Sequence, residues 1–308
     1  MKAIVLTEVA GYRFSASAIN QYLRCPRKFY YSTLLRLTQP YSTTASFGTI
    51  IHDSLEILHN WAGAQPIRPV YEEANAQSQL ILEEVWQEAG KRFIYPAVQK
   101  AYRQKAQRLL KRYTQVEFQR IGADIPIRTT SEISFEQGFL LGRFPISGRI
   151  DRVDYFGSGE VAIIDYKTGS GEKAQNALIK DFINLAQKST WQPTDYQLPL
   201  YYFYWSAVIG TPPRYIGHYQ LKHSKGPRLT LIEIRPGAPT PEERLKGNRK
   251  YLYQEEMEEI LPALLQVLEE MAEANQNFPA HPSTGRECQM CPYTFACEGA
   301  GEEEGEEE

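Results

Sequence analysis

The chain has 308 residues, 42% hydrophobic and 23% charged, with 34 basic and 37 acidic side chains. That length admits one large domain or two modest ones with a real core. The composition excludes a disordered chain and a disulfide-dense secreted module. The net charge of −3 hides an uneven distribution. Six acids crowd into GEEEGEEE, so residues 301–308 are expected to be a disordered acidic tail, and the remainder is net basic. Lys2 is followed by only four apolar residues, too short for a signal-peptide core, and the expected location is cytoplasmic.

In chain order, a helical pattern runs from Ser15 to about Leu37, with Ser15 or Ser17 as its N-cap. A second helix starts near Phe47 and carries Ile51, Leu55 and Leu58, and long helices follow at about 70–90 and 95–121. The last of these is rich in cations. Lys91 to Val116 holds eight Lys and Arg and no acid, and Arg103, Arg108 and Lys111 fall in a basic stripe that is either a solvated helix face or a phosphate-tracking surface. The period then changes to two, giving strands at 130–137, 139–149, 149–156 and 160–167, with turns at Gln137-Gly138 and Gly157-Ser158-Gly159. Residues 192–209 return to helix. The uncharged stretch Tyr196–Pro213 contains Gln197, Pro199 and Ser206 and six aromatics, the pattern of a buried amphipathic helix rather than a membrane span. Strands at 214–223 and 228–235, a final helix over about 240–276 and a cysteine-bearing loop complete the chain. A helical half thus precedes a small mixed sheet flanked by helices, an α+β or α/β architecture.

The most informative segment is Gly148-Arg149-Ile150-Asp151-Arg152-Val153-Asp154, followed by Ile163-Ile164-Asp165-Tyr166-Lys167-Thr168-Gly169. A hairpin turn centred on Ser158 sets Asp151 opposite Asp165 and Arg149 opposite Lys167, all on one face. Facing carboxylates repel unless a cation lies between them, and hard oxygen ligands suit Mg²⁺ or Mn²⁺. Lys167 points the same way as Asp165 and is placed to hold a water or neutralise a phosphate oxygen.

These residues resemble the PD-(D/E)XK nuclease superfamily, whose signature is an Asp on one strand and acid-x-Lys on the next. Gly48-Thr-Ile-Ile-His52 and Gln197-Leu-Pro-Leu-Tyr201 resemble the GxxxH and QxxxY elements of its RecB-like branch, as does Ser15-Ala-Ser17 through Cys25-Pro26-Arg27-Lys28-Phe29-Tyr30-Tyr31. The resemblance implies a restriction-endonuclease-like core with a central mixed sheet. It implies Asp151, Asp165, His52 and the Tyr166 backbone carbonyl as Mg²⁺ or Mn²⁺ ligands, with Glu132 a further acidic candidate. Lys167 would orient or activate the attacking water, and Gln197 and Tyr201 would contact DNA near the scissile phosphate. Ile150 stands where the family's name has Pro, a departure that touches no ligand.

Four cysteines remain, Cys25 far upstream of Cys288-x2-Cys291-x5-Cys297. Their chemistry admits zinc or a [4Fe–4S] cluster. The one-plus-three arrangement resembles the iron–sulfur staple of the AddB-type nuclease domain and the CRISPR-adaptation exonuclease, which favours the cluster over zinc. The expected organisation is one nuclease domain over 1–300, helical at 15–125, catalytic sheet at 126–240, and C-terminal helix and cysteine loop at 241–300. The expected activity is metal-dependent hydrolysis of DNA, as an exonuclease on single strands or ends, in repair, recombination or defence. The chain carries no GxxxxGK[ST], HExxH, GxSxG or GxGxxG motif. Lack of a motor motif motivates the alternative, a DNA-binding or scaffold subunit of a larger complex with a helicase or CRISPR-type partner.

Overall fold

A computed structural model describes residues 12–37, 42–93, 95–120, 125–135, 139–169, 175–187, 195–223, 225–246, 249–273, 278–280, 285–289 and 291–297. The expected acidic tail and the Gln137-Gly138 turn lie outside them. Ser15 caps α1 (Ala16–Arg24), its hydroxyl accepting the Ala18 N–H at 3.3 Å. The single helix expected to Leu37 breaks at Cys25, whose backbone is extended before Pro26. Proline lacks the N–H a continuing helix needs and disfavours helical geometry in the residue before it. The chain resumes as α2 (Pro26–Phe29) and a π turn, Tyr30–Leu34.

Ser42 starts α3 (Thr43–Gly63) a turn ahead of the expected Phe47, by accepting the Ala45 N–H. It packs with α4 (Tyr71–Ala89) and α5 (Pro96–Phe118), burying Ile51, Leu55, Leu58, Leu82 and Leu110. The sheet follows. Its six strands are β1 (Arg128–Ser134), β4 (Arg149–Tyr155), β5 (Val161–Lys167), β6 (Tyr215–Gln220), β7 (Arg228–Arg235) and β8 (Tyr251–Tyr253), hydrogen-bonded in that order. The strand expected over 139–149 is instead a separate two-residue pair, β2 (Leu140–Leu141) with β3 (Phe144–Pro145), turned by Gly142 at φ 61°.

β5 and β6 run parallel, which demands a crossover. α6 (Gln175–Gln187) and α7 (Gln197–Ile209) provide it. β5 alternates between two cores: Ile163 faces the layer of α1, α6, α7 and α10 (Ile260–Ala272), and Ala162 and Ile164 face α3 to α5. The long helix expected over 240–276 is divided. α8 (Pro241–Leu245) is followed by β8, whose Tyr-Leu-Tyr pairs with Glu233–Arg235 of β7, then by α9 (Gln254–Glu258) and α10. No described helix is long and apolar enough to cross a membrane, and α7 buries Leu198, Leu200, Tyr201 and Trp205.

Candidate active site

The β4–β5 register follows the pairing expected around Ser158: Arg152 faces Ile164 and Asp154 faces Ala162. The ladder stops at Arg152, one residue short of Asp151. There the Asp151 carboxylate accepts the Tyr166 N–H at 2.8 Å, taking the role of a strand carbonyl. The expected pairing of Arg149 with Lys167 is therefore not made. Arg149 is paired in the sheet with Ser134 and forms an ion pair with Glu132.

Three elements converge on Asp151. Its other oxygen lies 3.5 Å from Nδ1 of His52 on α3. Gly48, one turn earlier, lets α3 approach β5 closely, since a Cβ there would stand 3.3 Å from Thr168 Oγ1. Glu132 comes from β1, where it adopts φ 57°, a left-handed conformation that costs a non-glycine residue about 1–3 kcal/mol. His52, Glu132 and Asp151 each offer a ligand atom within 4.8 Å of the others. Two carboxylates and an imidazole fit the hard-to-borderline donor chemistry of Mg²⁺ or Mn²⁺. Burial pushes Glu132 up to about 7, with Arg149 opposing and the Asp151 charge adding to the rise. Burial alone would lower His52, but hydrogen bonding and the charge of Asp151 raise it.

Asp165, only 1% exposed, is held by different partners. Lys167 Nζ lies 2.8 Å and His218 Nε2 3.7 Å from its carboxylate. Burial raises Asp165 to about 7 against the pull of Lys167, with Asp151 contributing in the same direction as burial. Lys167 donates to Gln197 Oε1 at 2.8 Å, and the Gln197 amide donates to Tyr201 Oη at 2.8 Å. Burial disfavours the Lys167 ammonium, yet Asp165 and Asp195 outweigh it and raise its pKa.

Sequence reasoning missed Asp195, Asn20 and His218. Asp195 lies 3.5 Å from Lys167 Nζ and accepts from Asn20 Nδ2 at 2.9 Å and from the Gln197 N–H at 3.0 Å. Asn20 in turn accepts the Tyr196 N–H at 3.0 Å, so α1 anchors the start of α7. His218 stands beside Asp165 in the parallel ladder. The structure brings together His52, Glu132 and Asp151 as one group, and Asp165, Lys167, Gln197 and Tyr201 as an adjoining chain of contacts. Tyr166 meets the group through its N–H to Asp151.

All four cysteines, Cys25, Cys288, Cys291 and Cys297, line one cavity with Tyr31 and Tyr293. Burial raises the Cys288 thiol, and the other three cysteines add to the rise. The two ends of the chain also meet through protein contacts. Arg27 Nε donates to the Phe278 carbonyl at 2.6 Å, Tyr31 Oη to Ala296 at 2.5 Å, and Tyr293 Oη to Leu37 at 3.1 Å. The expected basic stripe is exposed at Arg103, Arg108 and Lys111, but Arg103 is ion-paired with Glu83 of α4.

The sequence pattern of the PD-(D/E)XK nuclease superfamily matches residues 13–298. No curated protein matches the chain. Among solved structures, one titled "Crystal structure of SSO0001" aligns at 12% identity and TM-score 0.39, over 96% of this chain and 94% of that one.

Proposed function

The chain belongs to the PD-(D/E)XK nuclease superfamily, and from that premise we propose that it is a metal-dependent deoxyribonuclease of the RecB-like branch, acting as an exonuclease on single strands or DNA ends. The observation that carries this reading is the His52–Glu132–Asp151 group beside the Asp165–Lys167 pair. His52, Glu132, Asp151 and Asp165, with the Tyr166 carbonyl, would hold Mg²⁺ or Mn²⁺. Such an ion, when bound, makes water a better nucleophile and neutralises charge on a phosphate oxygen. Lys167 acts as a charged hydrogen-bond donor rather than a base, because two carboxylates hold its proton. Gln197, half-buried beside Lys167, would face DNA, whereas Tyr201 is buried in α7 and would act by holding the Gln197 amide rather than by touching DNA. Arg108 adds to the positive field, while Arg103 is held by Glu83. End-labelled single- and double-stranded DNA incubated with Mg²⁺ or Mn²⁺ should be shortened from an end, and Asp165→Ala should abolish this. DNA binding without metal-dependent cleavage would instead favour the scaffold reading, with a helicase or CRISPR-type partner doing the chemistry.

Cys25, Cys288, Cys291 and Cys297 would hold a [4Fe–4S] cluster, whose contribution is to tie the N-terminal helices to the C-terminal loop. Their shared cavity supports this. Protein purified without oxygen should be brown, absorb near ~400 nm and carry about four irons. Cys25→Ser should lose the iron and loosen both ends together. Stoichiometric zinc in place of iron would replace the cluster by a zinc knot.

A further inference from the structure

Helix α5 carries cations on more than one flank, and the structure separates them. At 3.6 residues per turn, Lys105, Arg108 and Arg112 lie within about 60° of one another, whereas Arg103 is about 160° and Lys111 about 120° from Lys105. The Arg103 flank faces α4, where Glu83 neutralises it. The Lys105 flank faces the turn that joins β6 to β7. Arg112, Gln115 and Gln119 of α5 and Lys225 of that turn line an open hollow of about 600 Å³.

Contacts beyond the hollow relate both of its walls to the active site. Lys105 Nζ sits 4.9 Å from the Phe47 ring, and the next residue, Gly48, lies against Thr168 directly after Lys167. On the opposite wall, Leu221 N–H donates to the Lys167 carbonyl at 3.0 Å, which sets Lys222 at the same end of β5. Neither wall carries an acid between residues 91 and 116 or between 221 and 232.

We infer that the groove between α5 and the β6–β7 turn, lined by Lys105, Arg108 and Arg112 on one side and Lys222 and Lys225 on the other, is the path of a DNA single strand running to the catalytic residues. This rests on the nuclease reading for the end of the path and deepens it by naming the track. Burial lowers Lys222, and so does the ammonium of Lys105, so two like charges face each other at the groove's inner end. A phosphate between them would relieve that repulsion. The Phe47 and Tyr102 rings beneath Lys105 hold its charge over an apolar floor.

The test reads binding apart from cleavage. Fluorescence anisotropy of a labelled single-stranded DNA would be recorded with the full chain in EDTA across a NaCl series. Lys105→Gln with Lys222→Gln, and Arg112→Gln with Lys225→Gln, should each lower the slope of log affinity against log salt by about 1.4. The pair Arg103→Gln with Lys111→Gln should change it by less than half of that. Circular dichroism melting, together with the charge-preserving Lys105→Arg with Lys222→Arg, separates lost contacts from lost folding, since the arginine pair should keep the slope. A wild-type slope in both glutamine pairs, or an equal loss in the Arg103 and Lys111 pair, would overturn the groove. Normal cleavage alongside an unchanged slope would sink the groove alone. Binding with the expected slopes but no cleavage under any metal would uphold the groove and sink the nuclease reading.

Discussion

Asp151 and Asp154 stand three residues apart on β4 and meet opposite environments. Asp154 is gripped by Arg152, whose Nε and guanidinium nitrogens reach its two oxygens at 2.7 Å, and by Thr129 at 2.8 Å. Arg152 is fully buried and also donates to Glu117 and Tyr113, which brings in His59. Burial would raise Glu117, but Arg152 and Arg120 overcome it and bring it down to about 2. On the other side of the strand, Asp151 has Glu132 and Asp165 as neighbours, and burial takes both of those up to about 7. Fixed cations that match the carboxylates make framework. A surplus of buried carboxylates makes a site that a bound cation would complete.

The largest expected effects set the two regions apart outright. Arg152→Ala should destabilise the fold by about 3–5 kcal/mol, because it strands Glu117 and Asp154 in the interior, and chemical denaturation measures this. Asp151→Ala, Asp165→Ala and Lys167→Ala should instead leave the fold standing while cutting cleavage by at least ~100-fold. Full activity in Lys167→Ala would break the proposed mechanism.

A smaller effect concerns Glu132. Asparagine tolerates the left-handed conformation better than glutamate and removes a buried carboxyl. Glu132→Asn should therefore raise stability by about 1 kcal/mol while weakening Mn²⁺ binding about tenfold or more, both readable by calorimetry. Lost stability would mean that the left-handed backbone is not strained.

Acidification should act on the two regions with opposite sign. Burial and the Arg152 charge push His59 down to about 3, so from pH 6.5 downward the unfolded chain takes up a proton that the fold refuses. Glu117 does the same below its ordinary 4.5, and both contributions are lost as pH falls. Glu132 and Asp165 bind protons in the fold that the unfolded chain has released, so they gain stability as pH falls from about 7. Glu132→Asn with Asp165→Asn should make metal-free melting fall more steeply between pH 7 and 5 than in the parent protein. Equal slopes would erase the contrast. The smallest effect is at Gly48. Alanine gains about 0.5–1 kcal/mol of helix propensity but crowds Thr168, so Gly48→Ala should change stability by less than about 0.5 kcal/mol.

The catalytic strands were legible because alternation and the Gly157-Ser158-Gly159 turn fix a register. Contacts made across the chain were not. Asn20 and Asp195 are 175 residues apart, and nothing local marks either as the clamp on Lys167. The left-handed Glu132 has no sequence signal, as glutamate is not a residue expected there. α6 is a different kind of miss. Leu178, Ile179, Phe182 and Leu185 repeat at helical spacing in plain view, yet no element was expected between 168 and 191. The division of 240–276 turned on tertiary pairing, since Tyr251–Tyr253 becomes a strand only beside β7.

The cavity that gathers Cys25 with Cys288, Cys291 and Cys297 has a consequence for how the protein is made. Tyr31 and Ala296, bonded beside that cavity, are 265 residues apart, so at about 5–20 residues per second its two walls leave the ribosome roughly a quarter of a minute to a minute apart. The Cys25 side of the cavity is therefore made well before the side that carries Cys288, Cys291 and Cys297, and a chain cut short before Cys288 lacks three of the four thiols that line it.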